Sequence, residues 1–186
     1  MRRKPILFLD FDRTLFDTEQ FYEWLGDDRF ARLLDVTAGK IPPPDFSAML
    51  YSDTLPFLQK AKKTHRLVLL TYAVNTVLQR RKVRGSGLTP FFADIIITSR
   101  GKGLEAKKYL EHTEANEETH GARWEHVFID DAPQNIDDMK KVNPGIKSIR
   151  IDRTPLSYLE FIGVTEQPDL VVGSLEALMS VLFEKT

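Results

Sequence analysis

Two aspartates separated by one residue, Asp10 and Asp12, with the hydroxyl of Thr14 two positions further on, are the strongest chemical signal in this chain. They follow Ile6–Leu9, an unbroken apolar run suited to a strand buried on both faces of a parallel sheet. Extended backbone alternates its side chains, so an i, i+2 pair points to one side. At the carboxyl end of such a strand, both groups reach the crevice in which open α/β sheets bind ligands. Carboxylates that close repel each other until a shared proton, a cation or an electropositive neighbour relieves them. A hard divalent cation is the simplest relief, and Mg²⁺ is commonly held by one or two carboxylates plus a substrate phosphate. One carboxylate could then attack an electrophile while the other passes protons. A short Asp-x-Asp also occurs as a plain turn cap, so the other strand ends have to decide.

The elements that must position these groups can be read in order. Phe16 to Leu34 has a helical rhythm rich in aromatics, and Val36 to Phe46, with Gly39 and Pro42-Pro43-Pro44, predicts a loop. Residues 16–51 are expected to form a small, mostly helical cap above the strand end, with 1–15 and 52–186 making the core domain. Phe16, Phe21, Tyr22 and Trp24 are assigned to the packing face of this insertion, with substrate lining as the alternative. Asp53-Thr54 before Leu55-Pro56 predicts a capped helix start. Arg66–Leu70 is a second buried strand ending in Thr71, and Val74–Val83 a helix closed by Gly85 and Gly87. Ala93–Thr98 is a third strand, and Gly103–Leu110 a helix with Lys102 just before it. His126–Ile129 is a fourth, ending in Asp130-Asp131, after which Ala132-Pro133 opens a helix. Ile146–Ile151 and Leu170–Val172 complete the strands before a terminal helix from Ser174. Glu111–Glu125 reads as a frayed helix end and surface loop whose histidines, His112 and His120, lack metal-site spacing.

Strands alternating with helices predict a doubly wound, Rossmann-like α/β fold: a mostly parallel sheet of five to six strands with helices on both faces. Its strand ends share one edge, which gathers Asp10 and Asp12, Thr71, the Thr98–Lys102 loop, and Asp130 with Asp131. At 186 residues, with 26 basic and 27 acidic side chains, the chain is long enough for a full core and has no charge excess to draw a polyanion or membrane. It has no cysteine, so disulfides, thiolate metal sites and cysteine nucleophiles are excluded. Met1-Arg-Arg-Lys4 precedes too few apolar residues for a signal sequence, and no run is long enough to span a membrane. A cytoplasmic protein is expected.

With these residues in view, the sequence resembles the haloacid dehalogenase superfamily, mostly Mg²⁺-dependent phosphohydrolases. Leu9-Asp10-Phe11-Asp12-Arg13-Thr14-Leu15 resembles its first motif, Asp-x-Asp-x-Thr, and Leu69-Leu70-Thr71 its second. Lys102 is taken as the lysine of the third, in competition with Arg100, Lys107 and Lys108, and Phe128-Ile129-Asp130-Asp131 resembles the fourth. The resemblance implies a phosphomonoester hydrolase in which Asp10 attacks phosphorus, forming an aspartyl-phosphate, and Asp12 serves as acid and then base. It implies Mg²⁺ held by Asp10, the Asp12 backbone carbonyl and Asp131, with Asp130 a ligand or its support. Thr71 and Lys102, with Thr14, would contact the phosphoryl group. Asp131 could instead cap the helix after it, and Thr71 could simply end its strand. Another phosphoryl transfer such as a mutase, or a phosphate-ester-binding module without turnover, are the alternatives; carbon–halogen cleavage is disfavoured by the acidic pair.

Arg13 departs from the family pattern, which often has glycine there. An ordinary backbone conformation is expected for it, with its guanidinium either on a second anionic group of the substrate or in a surface ion pair with a neighbour such as Asp17. The expected partner is a phosphorylated small molecule rather than a macromolecule. The basic run Arg80-Arg81-Lys82-Val83-Arg84 could touch a nucleic-acid backbone but is read as a solvated helix face.

Overall fold

The computed structural model describes residues 4–115, 126–153 and 161–183. Along the chain come β1 (Ile6–Leu9), α1 (Thr18–Leu25), α2 (Arg29–Ala38), α3 (Thr54–Thr64), β2 (Arg66–Tyr72), α4 (Thr76–Gly85) and β3 (Asp94–Thr98). There follow α5 (Lys102–Ala115), β4 (Val127–Asp130), α6 (Pro133–Val142), β5 (Lys147–Ile151), β6 (Leu170–Val172) and α7 (Leu175–Phe183). The strands form one parallel sheet in the order β3-β2-β1-β4-β5-β6. This is the doubly wound α/β architecture expected from the sequence. The order reverses direction at β1, so the crevice at its carboxyl end is where a ligand site belongs.

Strand alternation divides the core in two. Leu7 and Leu9 of β1 join Leu67, Leu69, Val127 and Ile129 on the face covered by α3, α7 and the 16–51 segment. Ile6 and Phe8 join Val68, Leu70 and Phe128 on the other face, under Ala106 of α5 and Ile136 and Met139 of α6. All four β1 residues are buried, which accounts for its uninterrupted apolar run.

Several boundaries differ from expectation for identifiable reasons. The segment read as a loop from Val36 begins only at Gly39, which ends α2 in the left-handed conformation with φ 74°. Val36 is buried on α2 and the helix continues to Ala38. The long aromatic rhythm before it is broken at Gly26 into α1 and α2. Helix α5 starts on Lys102 itself and runs to Ala115, so His112 is helical, whereas His120 lies outside the described residues. Asp137 and Asp138 of α6 both tie it to neighbouring segments. Asp137 accepts hydrogen bonds from Thr165 N and Glu166 N and pairs with Lys141, and Asp138 accepts from Gly103 N.

Asp53 precedes α3, yet its side chain does not cap that helix. Its Oδ2 accepts from Leu175 N at 2.8 Å and Glu176 N at 3.3 Å, the start of α7. Its Oδ1 receives Arg153 Nη2 at 2.6 Å, and Arg153 also stacks 3.9 Å over the Tyr51 ring and donates to Thr14 O. One carboxylate thus ties the β1 turn, α3 and α7 together. Asp53→Ala is expected to destabilise the fold by about 3 kcal/mol, because it strands a largely buried guanidinium. A urea titration checks this through a lower midpoint at unchanged slope; an unmoved midpoint would show that this junction is not structural.

Candidate active site

The register of the sheet builds the site. β1 and β4 are paired Phe8 to Phe128 and Leu9 to Ile129, and Asp10 N donates to Ile129 O at 3.0 Å. Continuing the register sets Asp10 abreast of Asp130, both with the parity of Phe8 and Phe128 and so on the α5–α6 face. Lys102, the first residue of α5, answers this repulsion. Its Nζ donates to Asp10 Oδ1 at 2.5 Å and Asp130 Oδ2 at 2.6 Å and is only 1% exposed. Burial alone would push the ammonium down, but the two carboxylates outweigh it and hold Lys102 above the ordinary lysine value. The start of α5 is seated closely on α6: Gly103 N donates to Asp138 Oδ2 at 2.7 Å, and a Cβ on Gly103 would sit 2.6 Å from Asp138 O.

Asp130 is saturated. Besides Lys102 it accepts from Ala132 N at 2.9 Å and from Asn135 Nδ2 at 3.0 and 3.2 Å. Asn135 therefore orients Asp130. Ala132, not Asp131, occupies the capping position of α6, so the capping alternative for Asp131 is set aside. Asp131 instead stands at the rim with Asp10 and Asp130, and one oxygen of each lies within 4.8 Å of the others. Three carboxylates face one ammonium. Burial, then the neighbouring carboxylates, raise Asp10 to about 7 and Asp131 to about 8 despite Lys102. Raised acids this close, built from hard oxygen donors, are what a divalent cation would relieve, and the donor set fits Mg²⁺.

Asp12 sits in a contrasting environment. Its Oδ1 is paired with Lys82 Nζ and accepts from Thr18 Oγ1 at 3.0 Å, and its Oδ2 accepts from Gln79 Nε2 at 2.6 Å. Burial pushes its acidity down, but Lys82 and these hydrogen bonds prevail and hold the carboxyl below the usual range. Lys82 is 5% exposed, its ammonium 4.7 Å from the centroid of the Phe16 ring and near those of Phe11 and Phe21. This corrects the reading of 80–84 as a solvated face: Lys82 and Val83 are buried while Arg80 and Arg84 are exposed. Gln79 and Lys82 were not anticipated. Their signal was the i, i+4, i+7 stripe Asn75, Gln79, Lys82, on a helix starting just past the Thr71 strand end.

Two threonines do not reach the cavity. Thr71 continues the parity of Leu67 and Leu69, so it faces away from the Asp10 side; it is fully buried, and its Oγ1 accepts from Gln79 Nε2 at 2.9 Å. Thr14 is fully buried under the turn closed by Leu15 N and Phe16 N on Phe11 O, and its Oγ1 has no partner among the described residues. Neither hydroxyl is among the groups lining the cavity. Arg13 also departs from expectation. It adopts φ 56°, the left-handed conformation its position demands, at a cost of about 1 kcal/mol for a non-glycine residue. Its N–H donates to Phe16 O at 2.8 Å and Thr18 Oγ1 at 3.2 Å. Its guanidinium pairs with Glu19, not Asp17, which caps α1.

These groups open onto a cavity of about 380 Å³ whose floor includes Asp10, Asp12, Lys102 and Asp131. Phe21 and Tyr22 of α1 and Leu33 of α2 form part of its wall, opposite Tyr72 and Leu78. The aromatic cluster thus divides. Phe16 and Phe21 are buried in the core, Trp24 packs against it, and Phe21 and Tyr22 also meet the cavity.

No protein-family model matches the sequence, and a search of curated proteins found no match. Solved structures do match. A chain described as a haloacid dehalogenase-like hydrolase from Burkholderia xenovorans aligns with TM-score 0.72 at 18% identity, over 97% of both chains. A HAD hydrolase from Bacillus subtilis bound to magnesium gives TM-score 0.59 at 18% identity, over 98% of this chain and 100% of that one. The L-2-haloacid dehalogenase of Xanthobacter autotrophicus gives 0.62 at 15% identity, over 96% and 98%; others are described as phosphatases. The chain has the haloacid dehalogenase-like hydrolase fold. No helix among the described residues is long and apolar enough to cross a membrane.

Because Asp10 and Asp131 are raised to about 7 and about 8, the folded chain holds more protons than the unfolded one from about pH 4 to 8. Their contribution to stability is therefore lost as pH rises through that window. A divalent cation replaces those protons. Mg²⁺ should raise the melting temperature little at pH 5 and more at pH 8, where a hundredfold excess over Kd corresponds to about 2.7 kcal/mol. Asp131→Asn should abolish most of this response and Asp12→Asn should retain it. A Mg²⁺ response lost in Asp12→Asn but kept in Asp131→Asn would reverse the assignment.

Proposed function

We propose that this protein is a Mg²⁺-dependent phosphomonoester hydrolase working through a phosphorylated Asp10. The observation that carries the reading is the convergence of Asp10, Asp130 and Asp131 around Lys102, with a second carboxylate, Asp12, held apart in its own cationic setting. Asp10 and Asp131, supported by Asp130 and the Asp12 backbone carbonyl, are the residues that would hold the cation. When bound, it would neutralise charge on the transferring phosphoryl oxygens and draw the substrate to the nucleophile.

The chain's own groups supply the rest. An Asp10 oxygen attacks phosphorus as the ester P–O bond breaks, and the departing alcohol oxygen needs a proton. Asp12, paired with Lys82, stands beside the reacting centre to supply that proton. The Lys82–Asp12 pair passes the proton to the leaving oxygen and later takes one back from water, whose oxygen attacks phosphorus and frees Asp10 with inorganic phosphate. Lys102 keeps the nucleophile aligned and offsets charge in its surroundings. Carbon–halogen cleavage is the second reading, because a dehalogenase shares the fold. The acidic pair Asp130-Asp131 beside Asp10 speaks against it, since that oxygen donor set suits a metal site.

Phosphate release from a panel of phosphomonoesters, with and without Mg²⁺, tests the reading. Asp10→Asn should lower turnover by a factor on the order of 10³ or more, while 2-haloacids should release no halide. Lys82→Met should cost about 10² in kcat, more for alkyl than for aryl esters, since aryl oxygens leave without a proton. Halide release without phosphate release would replace the hydrolase reading with the dehalogenase one.

A further inference from the structure

Beside its acidic residues the cavity also presents apolar ones. Phe21, Leu33, Tyr72 and Leu78 line it, and beside them in the chain Phe30 and Val74 remain 75% and 84% exposed. Among the described residues, every cation lining it is already matched: Lys102 by Asp10 and Asp130, Lys82 by Asp12, and Arg13 by Glu19. The wall amide of Asn75 is committed too, accepting from Leu78 N at 3.0 Å and donating to Thr37 Oγ1 at 3.0 Å. A second anionic group on a ligand would have to break one of these pairs while approaching Asp12 and Asp131. A sugar-like ligand seated there would leave hydroxyls facing the hydrocarbon of Phe21, Leu33 and Leu78, which is costly without partners. The volume, about 380 Å³, is near the small end of ligand sites.

Resting on the hydrolase reading, we propose that the alcohol portion of the substrate is uncharged and apolar, of the size of one ring or a short hydrocarbon chain. It seats against Phe21, Leu33, Tyr72 and Leu78 with its phosphoryl group toward Asp10. The cap helices α1 and α2 then set specificity by removing hydrocarbon from water rather than by offering a charge.

Primary-alcohol phosphates keep leaving-group basicity constant and isolate the wall. From ethyl through propyl and butyl to hexyl phosphate, kcat/KM should rise about two- to fourfold per methylene until the cavity is filled. Glycerol phosphate should fall below propyl phosphate, and hexane-1,6-diol bisphosphate at least tenfold below hexyl phosphate. Leu33→Asp should flatten the chain-length dependence. A flat wild-type series, or preference for the bisphosphate or glycerol ester, would overturn the proposal. Calorimetry with propyl- and hexylphosphonate in the presence of Mg²⁺ separates the two readings. Tighter binding of the hexyl compound without turnover of any ester would retain the apolar subsite and reject the hydrolase. Equal binding of the two would reject the subsite whatever the turnover.

Discussion

A buried ammonium between two carboxylates is the constraint on which the site depends. The parallel register of β1 and β4 forces Asp10 and Asp130 side by side on one face of the sheet, and two like charges in that setting would open the strand ends. Lys102 occupies the gap because α5 begins on it and because Gly103 lets α5 sit against Asp138 of α6. A buried ion pair contributes little net stability against a well-packed apolar alternative, but removing one partner is severe. What the triad provides is definition: one geometry for Asp10, and a cluster of hard oxygen donors with Asp131 at its rim whose crowding a cation would relieve.

Asp10 and Asp12 are two residues apart, yet their surroundings drive them in opposite directions. Asp10 shares one ammonium with Asp130 and faces further acids, so its carboxyl is raised. Asp12 has Lys82, Gln79 and Thr18 to itself, so its carboxyl is lowered. Pairs of titratable groups pushed apart in this way are how a site assigns different roles to chemically identical side chains. Here the assignment comes from α4, which approaches from the β2 side and delivers both Gln79 and Lys82. The strained backbone of Arg13 belongs to the same arrangement: the tight turn after β1 brings Thr18 onto Asp12, and Arg13 N–H and guanidinium fasten that turn to Phe16, Thr18 and Glu19.

The segment 16–51 is joined to the core by packing as well as by sequence. Phe16, Phe21, Val36, Phe46 and Met49 belong to the same apolar cluster as Leu7 and Leu9 of the central strand. Its contribution to the cavity therefore comes from side chains anchored in the core, with Leu33 and Tyr22 as the parts left facing inward. Asn75 to Thr37 and Arg81 to Val36 O fasten α2 to the β2–α4 corner.

The sequence by itself determined the alternation of strands and helices, the carboxylates at the ends of β1 and β4, and the presence of a lysine beside the start of α5. All of these follow from short-range patterns: apolar runs of strand length, a polar residue where a run stops, a lysine beside a helix start. The alternation also implied that those ends share one edge, and the resemblance added the expected chemistry. Only the tertiary structure decided which groups face each other. Strand parity turns Thr71 to the face opposite Asp10, a turn buries Thr14, and backbone geometry imposes a left-handed Arg13. Lys82 read as surface because four of the five residues from 80 to 84 are basic, and a local count of charge carries no information about a carboxylate seventy positions away. Long-range electrostatic partners of this kind are set by how α4 packs across the end of the sheet, and no local pattern encodes that packing.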